Sequence, residues 1–342
     1  MGKYLSKINA GSVYIIAEVG VNHNGTLERA LQCVDQAAIC GADAVKFQTF
    51  DSKKLVTRHA QKAEYQAENT GISGSQLEML QKLELSHSEF IDIKNYCDKK
   101  GIDFLSTPFD EESAQFLDSI EVDAFKVSSG DLNNTPFLQQ LNQYGRPIIL
   151  STGMSDMNEI RESIKIFTKS NVSLLHCTSD YPAPLEDVNL LAMKAMADEF
   201  GRIIGYSDHT DGIEVAVAAV AMGAKIIEKH FTLDRSLPGP DHLASLEPSE
   251  FSTMIEAIRR VEKVLGNGIK RCMPSEENTK AVARKSLVAG RSLQAGDTLQ
   301  EKDIHIKRPG TGIEPKFYTE FIGKKLTRDI VEDQLLSWED FR

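Results

Sequence analysis

Eight times along the chain a short apolar run breaks off into a cluster of polar residues. The runs are VYIIAE (13–18), AVKFQ (44–48), DFLSTP (103–108), AFKVSSGD (124–131), PIILSTG (147–153), SLLHCTSD (173–180), RIIGYSDH (202–209) and KIIEKHF (225–231). They are β-branched and do not alternate with polar positions, the pattern of strands covered on both faces, as in a parallel sheet. The segments between them repeat at helical spacing: Leu27, Leu31, Val34 and Ala38 share one face, as do Ile255, Ile258, Val261 and Leu265. Gly41 and Gly101 sit where helix C-caps belong, just before the second and third runs. Eight strand–helix units over roughly 265 residues predict an α/β fold of the (β/α)8, or TIM, barrel type. A doubly wound open sheet is the runner-up, but it needs no eighth repeat.

One interval is irregular. More than ~50 residues separate the second and third strands, against a usual connection of a few. The reading is a loop over the barrel mouth (51–76), serving as lid or substrate loop, then a helix over 77–100. After Leu265 the polar, turn-rich stretch 266–284 reads as a linker. The last part, 285–342, has short strand-like pieces broken by Gly, Asp and Pro, and predicts a small, mostly β module. The predicted domains are thus a barrel over 1–265, the linker 266–284 and the module 285–342.

Composition narrows the function. The 342 residues are 41% hydrophobic and 26% charged, as in a globular protein with ample core. Thirty-nine Lys and Arg against 50 Asp and Glu leave a formal charge of −11, which argues against a nucleic-acid or anionic-membrane partner but not against a local basic pocket. No apolar run approaches the ~18 residues of a membrane span. The opening MGKYLSKINAGS has no signal-peptide core, and its match to a myristoylation pattern through Gly2 and Ser6 reads as chance. Five scattered cysteines (33, 40, 97, 177, 272) make neither a disulfide framework nor a zinc cluster. The expectation is a cytoplasmic protein.

A barrel builds its site at the carboxyl ends of its strands. Those ends carry Glu18, Asn22 and His23; Lys46 and Gln48; Ser106 and Thr107; Lys126, Ser129 and Asp131; Ser151 and Thr152; His176, Thr178 and Ser179; Ser207, Asp208 and His209; Glu228 and His230. Any one of these serines alone reads as a turn hydrogen bond. Two lysines and four serines on one mouth read as a phosphate site, with Lys46 or Lys126 as a Schiff-base nucleophile the sharper rival. His209 and His230 end adjacent strands and can share a divalent metal, with Glu228 orienting them or joining in. Two neutral imidazoles favour Mn²⁺ over Mg²⁺.

Taken together, IAEVGVNHNG (16–25), VKFQTF (45–50), LSTPFD (105–110), ILSTGM (149–154), LLHCTSDYPAPLEDVNL (174–190), GYSDHT (205–210), IEKHFTLDRSLPGPDH (227–242) and KRPGTG (307–312) resemble the sialic acid synthase family nearly end to end. That family includes the synthases of N-acetylneuraminic, legionaminic and pseudaminic acids, and its carboxyl-terminal module is an antifreeze-like (SAF) domain. The resemblance implies condensation of phosphoenolpyruvate with an open-chain N-acetylhexosamine, with phosphate released and a metal bound (Mn²⁺, with Mg²⁺ or Co²⁺ as alternatives). It implies Glu18, His209 and His230 as catalytic residues, the two histidines being the metal ligands. Phosphoenolpyruvate falls to Lys46, Lys126, Ser129, Ser151, Ser179 and Ser207; the sugar falls to Gln48, Asp131, Tyr181, Asp241 and Arg308. The chain departs from the family's usual residues at Asp131 and Ser179. A domain-exchanged homodimer is implied, with Arg308 serving another subunit's site. N-acetylneuraminate synthase is the main expectation and N,N'-diacetyllegionaminate synthase, acting on a 2,4-diacetamido-2,4,6-trideoxymannose, the alternative. Pseudaminate synthesis, a sugar-phosphate synthase, a Schiff-base aldolase and a binding module without catalysis are the rivals.

Overall fold

In the computed structural model, which describes residues 3–71 and 74–342, the chain forms two compact units, one ending at Gly266 and one beginning at Asn267. Gly2 of the amino-terminal pattern and residues 72–73 of the long excursion lie outside the described residues.

The first unit holds eight strands: β1 (Tyr14–Gly20), β2 (Ala44–Thr49), β3 (Asp103–Pro108), β4 (Phe125–Val127), β5 (Ile148–Ser151), β6 (Val172–His176), β7 (Ile204–Asp208) and β8 (Ile226–His230). They pair in the order β3-β2-β1-β8-β7-β6-β5-β4, each hydrogen-bonded pair parallel, and β3 packs beside β4, so the sheet curls into a nearly closed barrel. The barrel follows from the period of two along a strand. Ile15, Val45, Phe47, Phe104, Phe125, Leu150 and Ile227 face outward into the large core shared with the helices. Tyr14, Ile16, Ala44, Leu105, Ala124, Ile149, Leu175 and Ile226 form a separate buried cluster inside the barrel.

That inner cluster is completed by Tyr4 and Leu5 of the helix Lys3–Asn9, which closes the floor of the barrel. Lys3 fixes it by ion pairs to Asp103 (3.3 Å) and Asp123 (3.4 Å). Room inside is short: a Cβ on Gly205 would run into the backbone of Ile226 and the side chain of Leu175.

Gly41 and Gly101 end their helices at φ 89° and 74°, the left-handed conformation expected of them. The stripe that buries helix Leu27–Cys40 is Ala30, Cys33, Val34 and Ala37, with Leu27, Leu31 and Ala38 at its margins. Small side chains let the helix lie close to the sheet, so the larger leucines flank the contact. In helix Pro248–Leu265 the buried face is Phe251, Met254, Ile255 and Ile258; Leu265 is exposed.

The excursion after β2 differs from its expectation. Its loop contains short helices, Ser52–Leu55 and Glu64–Thr70, and the single helix predicted over 77–100 is two, Gln76–Gln81 and His87–Lys100. Ser86 accepts from the Glu89 N–H at 3.3 Å while Glu89 accepts from the Ser86 N–H at 2.7 Å, a capping box that starts a new helix.

The second unit pairs β9 (Ser286–Ala289) with β10 (Ile304–Lys307), antiparallel, and has its own core of Leu287, Leu293, Leu299, Ile304, Phe321 and Leu336, among others. The segment read as linker is part helix: Glu277–Ala283 is helical, and the Gly310 N–H bonds the Ala281 carbonyl at 2.7 Å.

Candidate active site

One pleat above the apolar layer, the inward face of each strand turns polar. Two residues beyond Ile16, Ala44, Leu105, Ala124, Ile149, Leu175 and Ile226 stand Glu18, Lys46, Thr107, Lys126, Ser151, Cys177 and Glu228. All seven line a cavity of about 420 Å³ at the carboxyl mouth of the barrel, joined by Gln48, Ser129, Ser179, Ser207, His209, His230, Tyr181 and Asp241. The size suits a small-molecule ligand.

At the bottom of the cavity two lysines and two carboxylates alternate, all buried. Lys46 Nζ is 2.7 Å from Glu18 Oε2 and 3.8 Å from Glu228 Oε2; Lys126 Nζ is 3.7 Å from Glu228 Oε1. Around them Lys46 donates to Thr107 Oγ1 (3.2 Å), Lys126 to Ser151 Oγ (2.6 Å), Ser207 Oγ to Glu228 Oε1 (2.9 Å) and Gln48 Nε2 to Glu18 Oε1 (3.2 Å). Ser129 Oγ accepts from the Gly153 N–H at 2.9 Å and lies 3.2 Å from Cys177 Sγ; a side chain on Gly153 would collide with Ser129, Cys177 and Ser179 together.

The two carboxylates are not equivalent. Burial pushes Glu18 up to about 7, with Lys46 pulling against the rise and Glu228 adding to it. Burial would raise Glu228 too, yet Lys126, Lys46 and the Ser207 hydroxyl hold it below its ordinary value. Burial would lower Lys46, but Glu18 and Glu228 keep it above; burial lowers Lys126, with Glu228 opposing the fall and Lys46 adding to it. Of these two carboxylates, Glu18 is therefore the one that can hold or release a proton near neutrality.

On the other side His209 and His230 stand with ring centroids 5.6 Å apart, and Tyr181 packs on both, at 4.2 and 5.5 Å. Burial lowers His209, and burial with His209 and the lysines nearby puts His230 well below its ordinary value, so both imidazoles are neutral. Nδ1 of His209 is 2.7 Å from the Thr178 carbonyl, a contact that needs the proton on Nδ1 and leaves the Nε2 lone pair for a ligand. Nδ1 of His230 is buried without a hydrogen-bond partner, 4.0 Å from Asp241 Oδ2. Two neutral imidazoles with free lone pairs suit a divalent ion. Among the described residues, no group of three or more His, Cys, Asp or Glu side chains is arranged to hold one. Burial raises Asp241 to about 6, opposed by Lys46.

Several polar residues of the strand ends are not brought to this cavity. Asp131 is half-buried in the turn after β4, where its carboxylate accepts from Asn134 (3.1 Å), and it is not part of the lining. Asp208 faces the helices, in a fully buried ion pair with Lys229 at 2.8 Å. Ser106 bonds Thr49 (2.7 Å), Thr152 the Leu175 carbonyl (3.0 Å), His176 the Val188 carbonyl (2.7 Å) and Thr178 the Asp187 carbonyl (3.0 Å). Arg308 belongs to the second unit, where it is exposed beside Pro309.

Three features escape the sequence reading. Glu228, assigned there to the histidines, sits between the lysines. Cys177, set aside as one of five scattered cysteines, is two residues past Leu175 and so points inward. Tyr65 of the excursion packs on Tyr181, centroids 5.0 Å apart, and Asn69 donates to the Pro240 carbonyl at 2.6 Å; no local pattern announces those contacts.

The fold and this mouth define a (β/α)8 barrel with two buried lysines and two buried carboxylates beside a pair of neutral histidines. The NeuB family pattern matches residues 33–270 and the SAF domain pattern residues 284–342. The chain belongs to the NeuB family, that is, to the sialic acid synthases. It is 45% identical to an N,N'-diacetyllegionaminic acid synthase of Campylobacter jejuni, over 94% of this chain and 98% of that one. It is 46% identical to a protein of the same name from Legionella pneumophila, over 95% and 94%. Among solved structures it resembles the N-acetylneuraminic acid synthetase of Leptospira borgpetersenii in complex with citrate, at 37% identity and a TM-score of 0.70, over 78% of this chain and 90% of that one.

Proposed function

We propose that this protein condenses phosphoenolpyruvate with open-chain 2,4-diacetamido-2,4,6-trideoxymannose to make N,N'-diacetyllegionaminic acid, releasing phosphate. The observation that carries the choice of acceptor is the 45–46% identity, over nearly the whole of both chains, to two proteins of that name. The main expectation from sequence, N-acetylneuraminate synthase, yields to the alternative on this ground. It stays as the second reading because the Leptospira synthetase is 37% identical.

The residues supply a consistent chemistry. The phosphate and carboxylate of phosphoenolpyruvate sit on Lys46 and Lys126 with Ser129, Ser151, Ser179 and Ser207 around them, in place of the lysines' carboxylate partners. The methylene carbon forms a bond to the sugar aldehyde carbon, whose oxygen takes up a proton. The cationic carbon left behind adds water, which gives up one proton; the carbon–oxygen bond to phosphate then breaks, the remaining hydroxyl proton leaves with the phosphate, and a 2-keto acid remains. Glu18, poised near neutrality, stabilises the cation and accepts the proton of the incoming water. His209 and His230 hold a divalent ion, Mn²⁺ before Mg²⁺ or Co²⁺, which when bound supplies Lewis-acid polarisation of the aldehyde. Gln48, Tyr181 and Asp241 contact the sugar from the lining. Asp131, expected from sequence to contact the sugar, lies outside the lining. Arg308 and a domain-exchanged homodimer belong to the same proposal. The described cysteines are all free, in keeping with a reducing, cytoplasmic setting, and no helix among the described residues is long and apolar enough to cross a membrane.

The test is phosphate release from phosphoenolpyruvate with each of the two acceptors, together with the mass of the product. Release with neither sugar overturns the proposal. A borohydride-trapped adduct with pyruvate would point instead to a Schiff-base aldolase.

A further inference from the structure

The cavity has two unlike halves. Its floor is the charged layer of strand ends. The facing wall comes mainly from the excursion after β2: Leu55 and Val56, then Met79, Leu80 and Leu83, with Phe109 beside them. These side chains are one apolar cluster, anchored by Val21 and Phe50. Such a cluster could be no more than the core of the excursion, but a core turns its side chains away from ligand space, and all six of these border the cavity. The polar groups of the same wall are engaged with one another. Gln66 Nε2 donates to Tyr65 Oη at 3.3 Å, and Gln66 Oε1 accepts from the Ala63 N–H (3.1 Å) and from Gln76 Nε2 (3.4 Å).

We infer that this apolar wall is the specificity surface for the distal end of the acceptor, and that it selects a sugar whose far carbons carry methyl groups over one that carries hydroxyls. The inference rests on the reading under Proposed function. With the reacting aldehyde at the histidines and strand ends, the apolar side chains of the same lining, Val56, Met79 and Phe109 among them, are left for the other end of an open-chain hexose. A hydroxyl set against these apolar side chains leaves its water partners and is offered none by them. A 6-deoxy carbon and the methyl of a second acetamido group lose nothing and gain contact. A methylene-scale difference in an apolar pocket is worth roughly 10- to 200-fold in kcat/KM. A diacetamido trideoxy sugar differs from N-acetylmannosamine at both distal positions, so the preference should be at least about tenfold.

Two near-isosteric variants test this, Met79→Gln and Val56→Thr, with Met79→Leu as the apolar control. Each is assayed with phosphoenolpyruvate and both acceptors. Wild type and Met79→Leu should prefer the diacetamido trideoxy sugar. In Met79→Gln and Val56→Thr the ratio of kcat/KM between the two sugars should fall by about tenfold, through KM for the deoxy sugar, with KM for phosphoenolpyruvate unchanged. If wild type releases no phosphate with either sugar, the reading of the function fails and the wall goes with it. If wild type turns over the deoxy sugar but the polar variants keep the full preference, the function stands and the wall is not its cause. Equal use of both sugars by wild type also overturns the inference.

Discussion

Glu18 and Lys46, on adjacent strands, meet at 2.7 Å inside the barrel, both side chains at most 5% exposed. Strand register makes the contact, since Glu18 and Lys46 are direct partners in the β1–β2 ladder. It joins a carboxyl raised to about 7 to the lysine proposed to receive phosphoenolpyruvate. Glu18→Gln keeps the shape and removes the charge. Turnover should fall by 100-fold or more, on the order of what a preorganised charge stabiliser contributes, while KM for phosphoenolpyruvate moves little. Steady-state phosphate release checks this, and near-normal kcat would remove Glu18 from the mechanism.

Glu228 is the counter-charge of two buried lysines, at 3.8 and 3.7 Å. Glu228→Gln leaves both with less compensation, and breaking a buried pair from one side costs about 3–5 kcal/mol. The free variant should melt below wild type. Phosphoenolpyruvate, whose charge replaces the lost carboxylate, should raise its Tm by more than it raises that of wild type. Thermal melts with and without phosphoenolpyruvate decide it; an equal ligand shift in both proteins would argue against the exchange of partners.

His209→Ala and His230→Ala each remove one imidazole from the neutral pair. Each variant should lose turnover and keep its melting profile, and a chelator should silence wild type. Turnover that survives thorough chelation would exclude the metal.

His23 links pH to stability. Burial puts its folded pKa at about 4, below the ordinary 6.5. Above pH 6.5 it is neutral whether folded or unfolded, so it contributes no slope. As pH falls from 6.5 towards 4 only the unfolded chain takes up the proton, and stability drops by about 1.4 kcal/mol per pH unit, on the order of 3 kcal/mol in all. His242, also lowered to about 4 by burial, adds to the same window. Glu18 and Asp241, raised to about 7 and about 6, gain stability over the same window and oppose the fall, so the readout is a difference. Across pH 7 to 4, His23→Gln should lose less stability in denaturant melts than wild type does. An unchanged slope in that variant assigns the effect elsewhere.

Arg308 is tested by complementation. Arg308→Ala should weaken acceptor use more than phosphoenolpyruvate use. Mixed dimers of Arg308→Ala with His230→Ala should recover part of the activity lost by each. Mixed dimers that form and recover nothing would refute the exchange.

Much of the site is legible from the chain because the strand period is local. Once Ile16 or Leu105 is taken as inward-facing, Glu18 and Thr107 must be inward too, and the same step places Lys46, Lys126, Ser151 and Glu228. The same parity sends Asp208 and Lys229 outward, a distinction lost when all polar residues at a strand end are pooled. Asp131 is outside the lining for another reason: it lies in a turn beyond β4, where strand parity no longer applies, and its carboxylate accepts from Asn134.

The eight barrel strands and the family were readable from the chain alone, because they follow from short-range periodicity and contiguous motifs. Which charges meet, the place of Glu228 between the two lysines, and the return of Val56 and Met79 to the cavity and of Tyr65 to Tyr181 came only with the folded chain. Those contacts join positions far apart in the chain. They depend on how the barrel closes and how the excursion packs, which no local spacing encodes.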